Sequence, residues 1–244
     1  MTRSKAAGLA GLLLSVLSAS ACAPSARPAP ETTTTATRGD QSMQTARTPA
    51  TAPTAMAIVE HEVASFDAWK GAFEGHADAR AAGGVRSARV SRATDAPNTV
   101  TVCLVGGSAE SLQAFLATPE RRQAMQRAGV VGTPTITLAV PVEDLTVRDR
   151  ALPGAFLRHR VDDFDAWKRG FDARAGARAK GGVVGHAIAR AKDDPNDVIV
   201  LLQAESLDAL RRFTGSEDLR AAMRSLGVRG EPRVTLVTTG PVER

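Results

Sequence analysis

The 244-residue sequence has no tyrosine, only 2 tryptophans and 7 phenylalanines, and only 2 cysteines. So few aromatic faces exclude the stacking platforms that hold single-stranded nucleic acid. Two cysteines cannot build a disulfide framework. No apolar run approaches the roughly 20 residues of an ordinary membrane-spanning helix. Metal motifs are missing as well: His61-Glu62 lacks the second histidine of His-Glu-x-x-His, and no Cys/His cluster occurs. The Gly83-Gly84 and Gly181-Gly182 pairs close helical patterns rather than open them, so they are not phosphate loops. Neither metal nor cofactor is expected. The formal charge is +5, but Arg and Asp/Glu are interspersed, which gives no footprint for a polyanion partner. What is present, 43% hydrophobic and 23% charged residues, is the composition of a globular protein with one large or two small domains.

The first segment is an address. Arg3 and Lys5 precede the uncharged apolar run 6–17, and Ser18-Ala19-Ser20-Ala21 leads to Cys22. This is the n-region, h-region and small-residue cut of an export signal over residues 1–21. Its loss leaves a charge of about +3. Small residues directly before a cysteine resemble a bacterial lipobox, which implies lipidation of Cys22, although Ala19 stands where leucine is usual. The alternative is a plain secretory signal and a secreted or periplasmic protein. Residues 22–56 are rich in Ala, Pro and Thr without hydrophobic periodicity, as in a disordered tether. The resemblance places the protein in a bacterial envelope, at the outer membrane facing the periplasm if the cell is Gram-negative.

A repeat organises the remainder. Phe66-Asp67-Ala68-Trp69-Lys70 returns as Phe164-Asp165-Ala166-Trp167-Lys168, an offset of 98, with about 35 identities over roughly 81 ungapped positions. Copy one covers 57–142 and copy two 155–244, with a connector at 143–154. Each begins with an alternating strand (58–63). A helix follows, capped by Ser65 or Asp163 and running to the Gly-Gly pair. Two strands (85–93 and 100–105) flank a Pro-Asn turn, then come helical stretches 108–117 and 120–128 and a last strand, 135–140. The order β-α-β-β-α-β is ferredoxin-like, an α+β unit with helices on one sheet face. About 80 residues bury little area alone, so the bare faces of the two copies are expected to meet in an intramolecular pseudo-dimer, monomeric overall.

Those residues carry a resemblance. His159, Asp163–Lys168, Arg178, Gly182-Val183, Asp193–Asn196 and Met223 to Val228 resemble the pattern of dimeric α+β-barrel proteins related to antibiotic-biosynthesis monooxygenases. They are most similar to short bacterial proteins labelled cyclase. The resemblance covers both copies and implies the fold. The activities it spans include monooxygenases, isomerases and haem-degrading enzymes, alongside members without known activity.

The candidate site residues follow. His61 and His159, equivalent on the first strands, are either a base at the mouth of a barrel or hydrogen-bonded core histidines, the latter preferred. His186, matched by Ala88, is either the mark of a cavity specialised in one copy or a residue without such a role, the latter preferred. Arg80 and Arg178 are either anion-binding or surface ion pairs, the latter preferred. Cys103 is expected to be a buried small hydrophobe, and Trp69 and Trp167 core residues. Glu60 and Glu62 of copy one stand where copy two has Arg158 and Arg160, which predicts ion pairing between unlike copies. The preferred function is a lipid-anchored envelope protein that is non-catalytic or binds a small hydrophobic ligand. The alternatives are a cofactor-independent monooxygenase or cyclase acting on an aromatic or polyketide-like molecule, and a protein-interaction module. Sequence leaves open whether the protein is an enzyme.

Overall fold

The computed structural model describes residues 55–243; the expected signal, Cys22 and nearly all of the expected tether lie outside the described residues. Copy one runs β1 (Ala55–Val63), α1 (Phe66–Glu74), α2 (Ala77–Ala82), β2 (Val85–Ala93), β3 (Thr99–Gly106), α3 (Ala109–Ala117), α4 (Pro119–Arg127) and β4 (Val130–Asp144). Copy two repeats this as β5 (Leu152–Val161), α5 (Phe164–Ala173), α6 (Ala175–Lys180), β6 (Val183–Ala191), β7 (Asp197–Ala204), α7 (Leu207–Thr214), α8 (Glu217–Ser225) and β8 (Val228–Glu243). The strands form one closed antiparallel barrel in the order β1-β3-β2-β8-β5-β7-β6-β4. Closure leaves no free sheet edge.

The long strands β4 and β8 close it. Residues 130–139 of β4 pair with β1, and residues 139–144 then pair with β6 of the other copy. Likewise β8 pairs with β5 and then, through 237–243, with β2. The expected last strand, 135–140, was therefore too short: its start extends along β1 of its own copy, and its end is strand because the opposite copy supplies a partner. The expected connector shrinks to 145–151, and Leu145 exchanges backbone hydrogen bonds with His186.

Local signals set the helices. Ser65 accepts from the Ala68 amide at 3.5 Å and Asp163 from the Ala166 amide at 2.6 Å, each filling a free donor of the first turn. The expected single helix up to the glycine pair is broken in two, at Gly75-His76 and at Arg174. Arg80 and Arg178 brace the break, since each guanidinium donates to a carbonyl there, that of Phe73 or Phe171, which also accepts the His76 or Arg174 amide. The glycine pairs divide their labour. A Cβ on Gly83 or Gly181 would run into the Phe115 or Phe213 ring, whereas Gly84 and Gly182 hold φ of 84° and 87°.

Two cores lie between the helices and the outside of the barrel. One gathers Val59, Trp69, Val102 and Leu112, the other Leu157, Trp167, Val200 and Leu210. A third, smaller cluster of Ile58, Ala139, Ala189 and Ile199, with Cys103 and Phe156 against it, contains no helical residue and fills the barrel interior. Burial pushes the Cys103 thiol up to about 12. Charges at the barrel lumen do join the copies, by other pairs than expected. Glu60 pairs with Arg233 at 3.0 Å, and Arg158 turns to Asp197 of its own copy at 2.7 Å while donating to Thr137 of the other at 3.0 Å. Arg160 pairs within its copy with Asp194 at 2.6 Å, and Glu62 is exposed.

Candidate functional site

Each copy holds a cavity between its helices and its sheet. The one in copy two is about 540 Å³ and includes His159, Trp167, Phe171, Arg178, Phe213 and Met223 in its wall. The one in copy one is about 470 Å³, with His61, Trp69, Phe73, Arg80, Phe115 and Met125 at the matching places. The repeat thus generates two sites of small-ligand size.

One wall has the same build in both. The strand places the histidine beneath the first helix, and residues four apart on that helix place the tryptophan and phenylalanine above it. His61 lies 5.3 Å from Trp69, which stacks on Phe73 at 5.2 Å; the Arg80 guanidinium covers Phe73 at 3.7 Å. In copy two the spacings are 5.5 Å from His159 to Trp167, 5.2 Å to Phe171, and 3.6 Å to Arg178. Each cavity therefore has an aromatic wall with an imidazole at one end and a guanidinium at the other.

The histidines correct the expectation of hydrogen-bonded core residues. They are 7% and 6% exposed, and neither ring nitrogen of either residue has a hydrogen-bond partner. Leaving a buried polar group unpaired costs about 1–3 kcal/mol, so such a group needs an explanation. Burial holds both imidazoles well below the usual range, at about 4. The Arg121 charge lowers His61 further, whereas Asp197 opposes the shift at His159. Both are neutral at pH 7, each offering one donor and one acceptor.

The arginines are not surface ion pairs either. Arg80 and Arg178 are each 8% exposed, and burial lowers the pKa of both guanidiniums. Glu243, at the end of β8, bridges Arg80 at 3.2 Å and Lys70 at 2.9 Å. Near the end of β4, Glu143, two residues before the position that matches Glu243, bridges Lys168 at 3.3 Å and His186 at 3.2 Å. Each carboxylate thus crosses from one copy to the other beside the other's cavity. His186 also meets the edge of Phe171 at 5.2 Å, so it lies next to the cavity wall without lining it. His76 is exposed, with Nδ1 2.6 Å from the Ala72 carbonyl oxygen. Sequence reasoning missed Arg121, a half-buried lining residue of the first cavity that donates to the Leu116 carbonyl at 3.1 Å. Its match in copy two is Leu219, and that substitution was the available signal.

No protein-family model matches the sequence, and no curated protein matches it. Solved structures share the fold. An anthrone oxidase-like protein superposes with a TM-score of 0.57 at 15% identity, over 78% of this chain and 93% of its own. A "putative monooxygenase" from Fusobacterium nucleatum gives 0.55 at 9% identity, over 80% and 96%. Another of that description from Lactobacillus acidophilus gives 0.53 at 11% identity, over 78% and 95%. At such identities the likeness establishes the fold alone.

Proposed function

We propose that this chain is a lipid-anchored envelope protein whose two ferredoxin-like units form an internal pseudo-dimer and bind small, largely apolar ligands in the twin helix–sheet cavities. One observation carries the reading: in each cavity wall a buried imidazole stands without any hydrogen-bond partner, beside a tryptophan. A ligand bearing a hydroxyl or carbonyl group would satisfy that imidazole, and its apolar body would cover the aromatic wall. The anchor rests on the signal pattern before Cys22. Metabolic labelling with a fatty-acid analogue tests it: label retained in Cys22→Ser would remove the anchor from the proposal. Native mass spectrometry of the purified full chain tests ligand binding. A mass adduct of defined stoichiometry that His159→Leu and His61→Leu each diminish is expected, and an adduct unaffected by both would end the assignment of these cavities.

A second reading, a monooxygenase or cyclase working without a cofactor, is favoured by the descriptions of the structural neighbours. The histidines argue against one version of it. An imidazole whose conjugate acid ionises at about 4, set against a phenol at about 10, would take the proton uphill by about 8 kcal/mol. The ligand-free imidazole is therefore suited to hydrogen bonding rather than to proton abstraction. Oxygen uptake in the presence of anthrone, abolished by His159→Leu and His61→Leu together, would move the conclusion to the enzyme.

A further inference from the structure

The two cavities share a plan but not an electrostatic arrangement. In copy one the guanidinium at the end of the aromatic wall is already matched, since Glu243 reaches Arg80 at 3.2 Å. In copy two the place of Glu243 is taken by Leu145, and the nearby carboxylate, Glu143, sits on His186 and Lys168. Arg178 makes one hydrogen bond, to the Phe171 carbonyl, and among the described residues no carboxylate lies within ion-pair distance of it. It is nonetheless 8% exposed and part of the cavity wall. Two differences accompany this contrast: copy two has His186 where copy one has Ala88, and its carboxylate stands two residues earlier on the seam strand, opposite Ile188, whereas Glu243 stands opposite Ala88. Ala88 offers Glu243 no partner and that carboxylate reaches the arginine, whereas His186, together with Lys168, holds Glu143.

The mouths differ in the same sense. Exposed residues bordering the second cavity include Arg174, Lys180 and Arg212 against Asp218. Those bordering the first include Arg127 against Glu120, and its further guanidinium is the half-buried Arg121 beside His61. A mouth with an excess of cations raises the local concentration of anions.

We infer that the second cavity selects an organic acid, an apolar, flat body bearing one carboxylate, which is received by Arg178, and that His186 is a positioning residue that keeps this seat open by holding Glu143 aside. The inference rests on the ligand-binding reading above and adds the ligand class and the cavity. His159, at the other end of the aromatic wall, is left to meet a hydroxyl or carbonyl group on the same molecule.

The two tryptophans, one per cavity in a chain without tyrosine, make the test specific. In full-length Trp69→Phe, Trp167 is the sole emitter and reports the second cavity. Quenching by 4-nitrobenzoate is compared with quenching by its neutral counterpart, 4-nitrobenzamide. The acid should bind about tenfold more tightly than the amide, as a charge-assisted pair with a guanidinium allows. Added salt should narrow the gap. His186→Ala, which recreates the copy-one residue, should release Glu143 to Arg178 and reduce the preference to about threefold or less while the amide binds as before. His186→Gln, which keeps a donor for Glu143, should retain it. Arg178→Gln should abolish the preference, and if that variant does not fold, the His186 pair alone decides. Equal binding of acid and amide, or a preference indifferent to His186→Ala, would overturn the inference and leave the ligand-binding reading standing. Quenching by neither compound, of Trp167 in full-length Trp69→Phe or of Trp69 in full-length Trp167→Phe, would overturn both.

Discussion

Acidification should destabilise this protein through two particular side chains. His61 and His159 are buried, lack hydrogen bonds, and have their pKa lowered from 6.5 to about 4. Above pH 6.5 neither the folded nor the unfolded chain protonates them appreciably, and they impose no pH dependence. As pH falls below 6.5 the unfolded chain takes up two protons that the folded chain refuses. Stability therefore declines, until near pH 4 the folded chain takes them up too. The full gap corresponds to about 3 kcal/mol per imidazole, and the part lying between pH 6.5 and 5 to about 3 kcal/mol for the two together. That is a large share of the 5–15 kcal/mol typical of a domain. Urea denaturation followed by tryptophan emission at several pH values measures it. The comparison is His61→Leu/His159→Leu, in which leucine occupies similar space and does not titrate. The double variant should lose about 3 kcal/mol less than the parent over that interval, carboxylates being common to both. It should also be no less stable at pH 7.5, because removing an unpaired buried polar group offsets the altered packing. Equal pH slopes would refute the assignment of these imidazoles as buried and neutral.

Three further perturbations have defined outcomes. Gly84→Ala and Gly182→Ala force a side chain onto backbone at φ of 84° and 87° and should each lower stability by about 1–2 kcal/mol in thermal unfolding. Cys103, whose thiol burial pushes up to about 12, should resist an aromatic disulfide reagent in native Cys22→Ser protein and react fully once urea unfolds it. A double-mutant cycle on Glu60→Gln and Arg233→Gln should give a coupling of about 0.2–1 kcal/mol, in keeping with a partly exposed pair. A coupling of zero would mean that this contact does not help to register the copies.

The repeat was legible because identity at a fixed offset needs no structural knowledge, and the strand and helix order because periods of 2 and 3.6 are local properties. Ser65 and Asp163 were legible as caps for the same reason. What escaped depended on the other copy or on side chains reaching along the chain. The last strand was read as ending at Val140 and residues 143–154 as connector, with Pro141 directly after the strand pattern. Residues 141–144 and the end of β8 are strand only because β6 and β2 lie alongside, with a register shift between Pro141 and Glu143 that accommodates the ring. Arg80 and Arg178 were read as exposed because arginine is seldom buried. The helix break at which each of them meets a carbonyl has no counterpart in the hydrophobic pattern. Alternation put His61 and His159 on the apolar face. It could not show that nothing there would bond to them.

Duplication followed by fusion explains why the site differs between halves more than the fold does. In a symmetric homodimer a residue at one position is present in both subunits, so a charge facing the shared interior meets its own copy across the axis. Glu60 and Arg158 occupy equivalent positions at the lumen yet carry opposite charges, an arrangement that identical subunits cannot supply. Ala88 and His186, and Arg121 and Leu219, are the same liberty exercised beside the cavities. The backbone has no such liberty, since each copy's last strand completes the other's sheet edge and a change of register in one would break both seams. Divergence therefore falls on side chains while the seam registers are kept, and even at a helix cap the exchange of Ser65 for Asp163 preserves the accepted amide bond.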